Sequence, residues 1–137
     1  MEREKYIKAA NIIFECRINK KRLDKLPIDC IPKNIEEAYK IQDELKILYL
    51  TLKNNYTIGK KVGCTNKLAQ KQINVEEPFY GNLFSKYSSM SGCKLMSKNF
   101  SEPYMEAEFS FKIKEDINIT KAPFTFDQII DLTETVM

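Results

Sequence analysis

The chain contains no histidine, and this absence removes whole classes of chemistry. Ser-His-Asp and Cys-His nucleophile systems cannot be built from it. A general acid or base must then be Glu, Asp, Lys, Tyr or Cys, or the chemistry must use a metal held by carboxylates. Glycine (4) and proline (5) are scarce among the 137 residues, which excludes a collagen-like or linker-dominated chain. No two of Cys16, Cys30, Cys64 and Cys93 stand at C-x-x-C spacing, so a structural zinc site is not expected. No apolar run approaches a membrane span, and Met1-Glu2-Arg3-Glu4-Lys5 lacks an apolar leader core. The expectation is a cytoplasmic protein with reduced thiols and no membrane partner. A long basic run is missing too. Lys+Arg 22 against Asp+Glu 19 leaves a formal +3, and the densest cluster, Lys20-Lys21-Arg22, is soon followed by Asp24. A nucleic-acid footprint needs clustered charge, so no nucleic-acid partner is expected.

What is present is the composition of a globular domain, 43% hydrophobic and 30% charged. Residues 2–19 read as a helix, with Tyr6, Ala9, Ala10, Ile13 and Cys16 at helical spacings. After Pro27 and Pro32, Asn34 and Glu37 read as a capping box. Ala38, Ile41, Leu45, Leu48 and Leu52 then form one apolar helical stripe. Residues 56–64 read as a strand, Thr65 or Asn66 as the cap of a short helix, and residues 75–84 as a loop running into a strand. A further strand is predicted over 93–96. The clearest alternation is Met105, Ala107, Phe109, Phe111 and Ile113 against Glu106, Glu108, Ser110 and Lys112, predicting a strand over 105–113. Thr125 and Gln128 read as a second capping box, opening a helix over 125–137.

Two constellations carry chemical interest. Glu106 and Glu108, on one face of the predicted strand, can converge on one cation, and oxygen-only ligation favours Mg²⁺ or Mn²⁺. The same pattern also suits a solvated strand face. Lys60 and Lys61 lie between Gly59 and Gly63, where backbone can approach a ligand closely. Either lysine can steady an anion or transfer a proton, or simply sit on the surface near a turn.

Taken together, these segments resemble one family. Gly59-Lys60-Lys61-Val62-Gly63-Cys64-Thr65 resembles the G-x-K-[VI]-G-x-T segment of the 2-keto-4-pentenoate hydratases, within the fumarylacetoacetate hydrolase superfamily. Ala69-Gln70-Lys71-Gln72-Ile73 and Val75-Glu76-Glu77-Pro78-Phe79-Tyr80-Gly81-Asn82-Leu83-Phe84 resemble its A-x-x-Q-x-x-L and V-[DE]-x-P-x-[FY]-G-x-L-F runs. Glu106-Ala107-Glu108 is similar to its E-A-E metal strand, and Ala38-Tyr39-Lys40-Ile41-Gln42 to its A-Y-x-[IV]-Q helix. The resemblance implies an α+β fold: a helical N-terminal part (1–84) followed by the incomplete start (85–137) of a mixed β-roll. It implies Mg²⁺ or Mn²⁺ on Glu106 and Glu108, Lys61 as the catalytic lysine, and Phe79 and Leu83 at the substrate. The implied reaction adds water to a small 2-hydroxydienoic (2-oxo-enoic) acid. A related 2-oxo acid decarboxylase is an alternative; the C–C hydrolase branch needs a histidine. The family's third metal carboxylate is expected beyond Met137. A further alternative is therefore a non-catalytic fragment, and the expected partner is a homo-oligomer or a complementing C-terminal chain.

Overall fold

A computed structural model describes residues 2–137. The chain divides into two compact units, residues 1–101 and 102–137, and its class is α+β. In the first unit, helix α1 (Glu2–Ile18) lies against helix α2 (Ile35–Leu50). Strand β1 (Thr57–Gly63), short helix α3 (Lys67–Gln72) and strand β2 (Phe79–Phe84) follow. β1 and β2 form an antiparallel ribbon. Residues 85–101, grouped above with the β part, pack with this unit. Tyr87 meets Tyr49 edge-on at 5.7 Å, and Lys20 Nζ donates to the Lys98 carbonyl at 3.3 Å.

The core follows from the predicted stripes. Ala9 and Ala10 are fully buried, small enough to bring α1 close to α2, and Tyr6, Ile41 and Leu45 pack around them. Tyr49, outside the predicted stripe, is the aromatic hub. It stacks on Phe84 at 4.6 Å and meets Phe14 edge-on at 5.3 Å. Asn55 is buried and fastens the two elements at their ends. Its Nδ2 donates to the Tyr49 carbonyl at 2.9 Å, and its Oδ1 accepts from the Lys86 amide at 3.0 Å.

Caps form where the sequence places them, with one difference. Asn34 accepts from the Glu37 amide at 2.9 Å and Asn66 from the Ala69 amide at 2.9 Å. The reciprocal half of the first capping box is absent. The Glu37 carboxylate turns instead to the Lys33 amide and to Lys5 Nζ, each at 3.0 Å. Lys5 comes from α1, so tertiary contact overrides the local pattern. The Thr125–Gln128 box is complete in both directions.

The second unit holds strand β3 (Phe111–Ile113), helix α4 (Phe126–Leu132) and strand β4 (Thr133–Val136), with β3 and β4 antiparallel. Three predictions are corrected. Residues 93–96 form no strand, since no neighbouring strand pairs with them. The strand predicted over 105–113 shortens to Phe111–Ile113, extended by mutual 2.8 Å backbone bonds between Ser110 and Met137. Residues 105–109 lie past the reach of β4 and have no ladder partner. The helix predicted to Met137 stops at Leu132, because Thr133, Thr135 and Val136 are β-branched and favour a strand. No residue in 102–137 is buried; Met105, Phe109 and Phe111 stand exposed.

The Lys33 amide, then Lys5, hold the Glu37 carboxyl below the usual carboxylate range, against the cost of desolvating it. A depressed carboxyl contributes stability that is complete above its ordinary range and is lost as pH falls through the depressed value. Glu37→Gln therefore lowers the melting temperature at neutral pH and flattens the loss of stability on acidification. Parallel acid limbs in the two proteins would contradict this. Leu45→Ala is expected to cost about 2–5 kcal/mol in chemical denaturation, as large-to-small changes in a packed core do.

Candidate functional site

β1 carries the Gly59-Lys60-Lys61-Val62-Gly63 run, and strand alternation sends neighbouring side chains to opposite faces. In the register with β2, Gly59 stands opposite Leu83, Lys61 opposite Gly81, and Gly63 opposite Phe79. Lys61, Phe79 and Leu83 therefore share one face of the ribbon. Gly59, Gly63 and Gly81 share that face too, so the same-face strand positions flanking Lys61 and directly opposite it carry no side chain. The Phe79 ring uses the space: a Cβ at Gly63 would lie 3.0 Å from it.

The two lysines diverge. Lys60 points to the opposite face, where Nζ donates to Asn82 Oδ1 at 2.7 Å and sits 4.5 Å from the centre of the Tyr80 ring. Lys61 is half-buried, and its Nζ donates to the Val62 carbonyl at 2.9 Å. The turn leaving β1 is held by Gln70, a residue of the A-x-x-Q motif. Its Nε2 donates to the carbonyl of Cys64 at 2.8 Å, and Cys64 adopts φ 54°. Gln70 is buried, so this motif position supports the turn that follows the strand carrying Lys61.

α2 fixes the ribbon from the side of β2. The Tyr80 amide donates to Tyr39 Oη at 3.3 Å, and Gln42 Nε2 donates to the Tyr80 carbonyl at 3.1 Å. Tyr39 also stacks on the Tyr80 ring at 4.8 Å. The A-Y-x-[IV]-Q motif thus supplies, through its Tyr and Gln, the groups that satisfy this strand edge. A cavity of about 340 Å³ opens among α1, α2 and the ribbon, its lining including Lys61, Gly81, Asn82 and the apolar Ile41, Leu45 and Phe84. Phe79 and Leu83 do not line it. Arg17 and Lys46 do, and the sequence reading passed over both. Their one signal was position: each follows a lining residue, Ile13 or Gln42, by four on its helix.

Glu106 and Glu108 belong to the second unit, both exposed, in a stretch without regular secondary structure. Among the described residues, no three His, Cys, Asp or Glu side chains converge on one point. The two carboxylates are nevertheless of the donor type that Mg²⁺ and Mn²⁺ take, and Mg²⁺ commonly uses one or two carboxylates with waters. They fit as part of a ligand set.

Parts of this chain are similar in sequence to several curated proteins. A 2-keto-4-pentenoate hydratase of Paraburkholderia xenovorans is 28% identical over 104 residues, which is 76% of this chain and 38% of that protein. A 2-hydroxyhexa-2,4-dienoate hydratase of Comamonas testosteroni is 33% identical over 86 residues, 61% of this chain and 32% of that protein. The chain is a homologue of the 2-keto-4-pentenoate hydratases. A 4-oxalocrotonate decarboxylase of a Pseudomonas species is 27% identical over 123 residues, covering 90% of this chain and 44% of its own length. The chain thus spans less than half the length of each of these relatives. No family model matches it. Among the described residues, no helix is long and apolar enough to cross a membrane.

The glycines of the Lys61 face differ in what they tolerate. Gly63→Ala drives a Cβ against the Phe79 ring, whereas at Gly81 the nearest atom, Gln42 Oε1, lies 3.8 Å away. Gly63→Ala is expected to lower the melting temperature and shift the Phe79 ring resonances. Gly81→Ala should do neither to the same degree. Equal effects would show that the Gly63–Phe79 contact does not set the ribbon's packing.

Proposed function

We propose that this chain is a hydratase-like protein acting on small 2-hydroxydienoic (2-oxo-enoic) acids. The observation that carries the reading is its homology to hydratases of such acids across the Lys61 ribbon. In the net reaction the dienol is protonated at C5 as its 2-hydroxyl loses a proton, giving the 2-oxo-3-enoate. Water then adds its oxygen at C4 and a proton at C3. Lys61 orients the anionic substrate and moves a proton at Nζ. Phe79 and Leu83 hold the hydrocarbon part on the same face of the ribbon. Glu106 and Glu108 would hold Mg²⁺ or Mn²⁺, which when bound supplies a Lewis acid for the 2-oxo acid end of the substrate. The mixed β-roll of the superfamily belongs to this reading. So does assembly, either with further copies or with a complementing C-terminal chain, to cover exposed Phe109 and Phe111.

The second reading is 2-oxo acid decarboxylation, favoured by the 90% of this chain that aligns with the decarboxylase. Incubation with 2-hydroxypenta-2,4-dienoate and Mg²⁺ separates the two: a 4-hydroxy-2-oxo acid is the expected product. Lys61→Met should reduce its formation by about 10²-fold or more, the usual worth of a positioned proton-transfer group. No product above background from clean protein, alone and with a complementing chain, would sink the hydratase reading. Titration with Mn²⁺ should give tighter binding to the wild type than to the Glu106→Ala/Glu108→Ala variant. Superimposable titrations would remove the metal site.

A further inference from the structure

We propose that the cavity among α1, α2 and the ribbon is a binding site for a short-chain carboxylate with an apolar body, held by Arg17, Lys46 and Lys61. These three cations line it, and no Asp or Glu does. On the same helix as Arg17, the cations Arg3, Lys5 and Lys8 each have a carboxylate partner, Glu44, Glu37 and Asp29. Among the described residues, Arg17 and Lys46 form no ion pair. Three cations of α1 thus have carboxylate partners, while the two that line the hollow beside Lys61 have none. Like charges gathered at one hollow repel one another, and a bound anion relieves that repulsion.

The rest of the lining specifies what kind of anion. Ile41, Leu45 and Phe84 are buried and give the cavity an apolar floor, beside the buried Tyr49. The carboxamides are already engaged: Gln42 Oε1 accepts from Asn82 Nδ2 at 3.3 Å, and Asn82 Oδ1 accepts from Lys60. Ile41, Leu45 and Phe84 offer nothing to solvate an anion's far side, so a charged head on an apolar chain suits the site better than an inorganic anion. The volume of about 340 Å³ lies at the small end of ligand pockets, the right scale for a short acid. Arg17 supplies a planar fork suited to a carboxylate, and Lys46 and Lys61 supply point charges. The site shares Lys61 with the proposed hydratase chemistry but owes nothing to Glu106, Glu108 or a metal. It stands or falls on its own lining.

The test is calorimetric and NMR titration of the full chain with 2-oxopentanoate in the presence of a chelator. Pentan-2-one serves as the uncharged analogue and inorganic phosphate as the anion without an apolar body. Saturable binding is expected, with shifts at Leu45 and Phe84, and affinity should fall as NaCl is raised. Pentan-2-one and phosphate should bind at least about tenfold more weakly, and so should 2-oxopentanoate to Arg17→Gln/Lys46→Gln, the scale set by one charge-assisted hydrogen bond. Arg17→Lys/Lys46→Arg, which keeps both charges, should retain binding. Absence of saturable binding, salt-independent affinity, or phosphate binding as well as the acid would each overturn the proposal. Unchanged affinity in a folded Arg17→Gln/Lys46→Gln variant would do the same. The hydratase reading is judged separately: binding that survives in a chain without turnover sinks only the latter, and turnover without this binding sinks only the cavity.

Discussion

A two-stranded ribbon is marginal in water by itself, and β1–β2 depends on α2 to hold it. The dependence has two anchors. At one end Phe84 lies on the Tyr49 ring, inside the core that α1 and α2 build. Towards the other, Tyr39 and Gln42 take the Tyr80 amide and carbonyl that β1 leaves unpaired. Between these anchors the register is fixed, and with it the side of the ribbon on which each lysine emerges. A slip of one residue would exchange Lys60 and Lys61 between faces. The position of Lys61 is therefore a consequence of helix packing as much as of its own strand.

Electrostatics follows the same frame. Between α1 and α2, Arg3 meets Glu44 and Lys5 meets Glu37, and Glu37 is reached by both a backbone amide and an ammonium. Exposed pairs such as Lys8–Asp29 contribute little to stability. Their interest lies in contrast, since the charged side chains that line the cavity are all basic. In the second unit the pattern is simpler, with Lys112 and Glu134 paired across β3 and β4 at 2.7 Å.

Much of this was legible in the chain because it is written locally. The stripe from Ala38 to Leu48, the caps at Asn34, Asn66 and Thr125, and the strand around Gly59–Gly63 each depend on residues within a few positions of one another. What was not legible depends on distant partners. Glu37 is drawn from its own cap by Lys5 of another helix. Tyr49 becomes the hub only because Phe14, Phe84 and Tyr87 converge on it. Alternation over 105–113 marks a face but supplies no neighbouring strand, so only the part opposite β4 is regular. The end of α4 was readable in principle from the β-branched run Thr133–Val136, which the capping box overshadowed. Arg17 and Lys46 carry no motif at all and gain meaning only from the hollow between elements. Lys61, Phe79 and Leu83 share a face of the ribbon, while Glu106 and Glu108 lie in a separate unit.

The bonds to Tyr80 also decide in which direction the ribbon can grow. With α2 across the edge of β2, an additional strand has a backbone to pair with only along β1. The Val62 carbonyl on that open margin is already taken by the Lys61 ammonium. A strand arriving there competes with the lysine for the same oxygen. Enlarging the sheet and redirecting that amine are thus a single event.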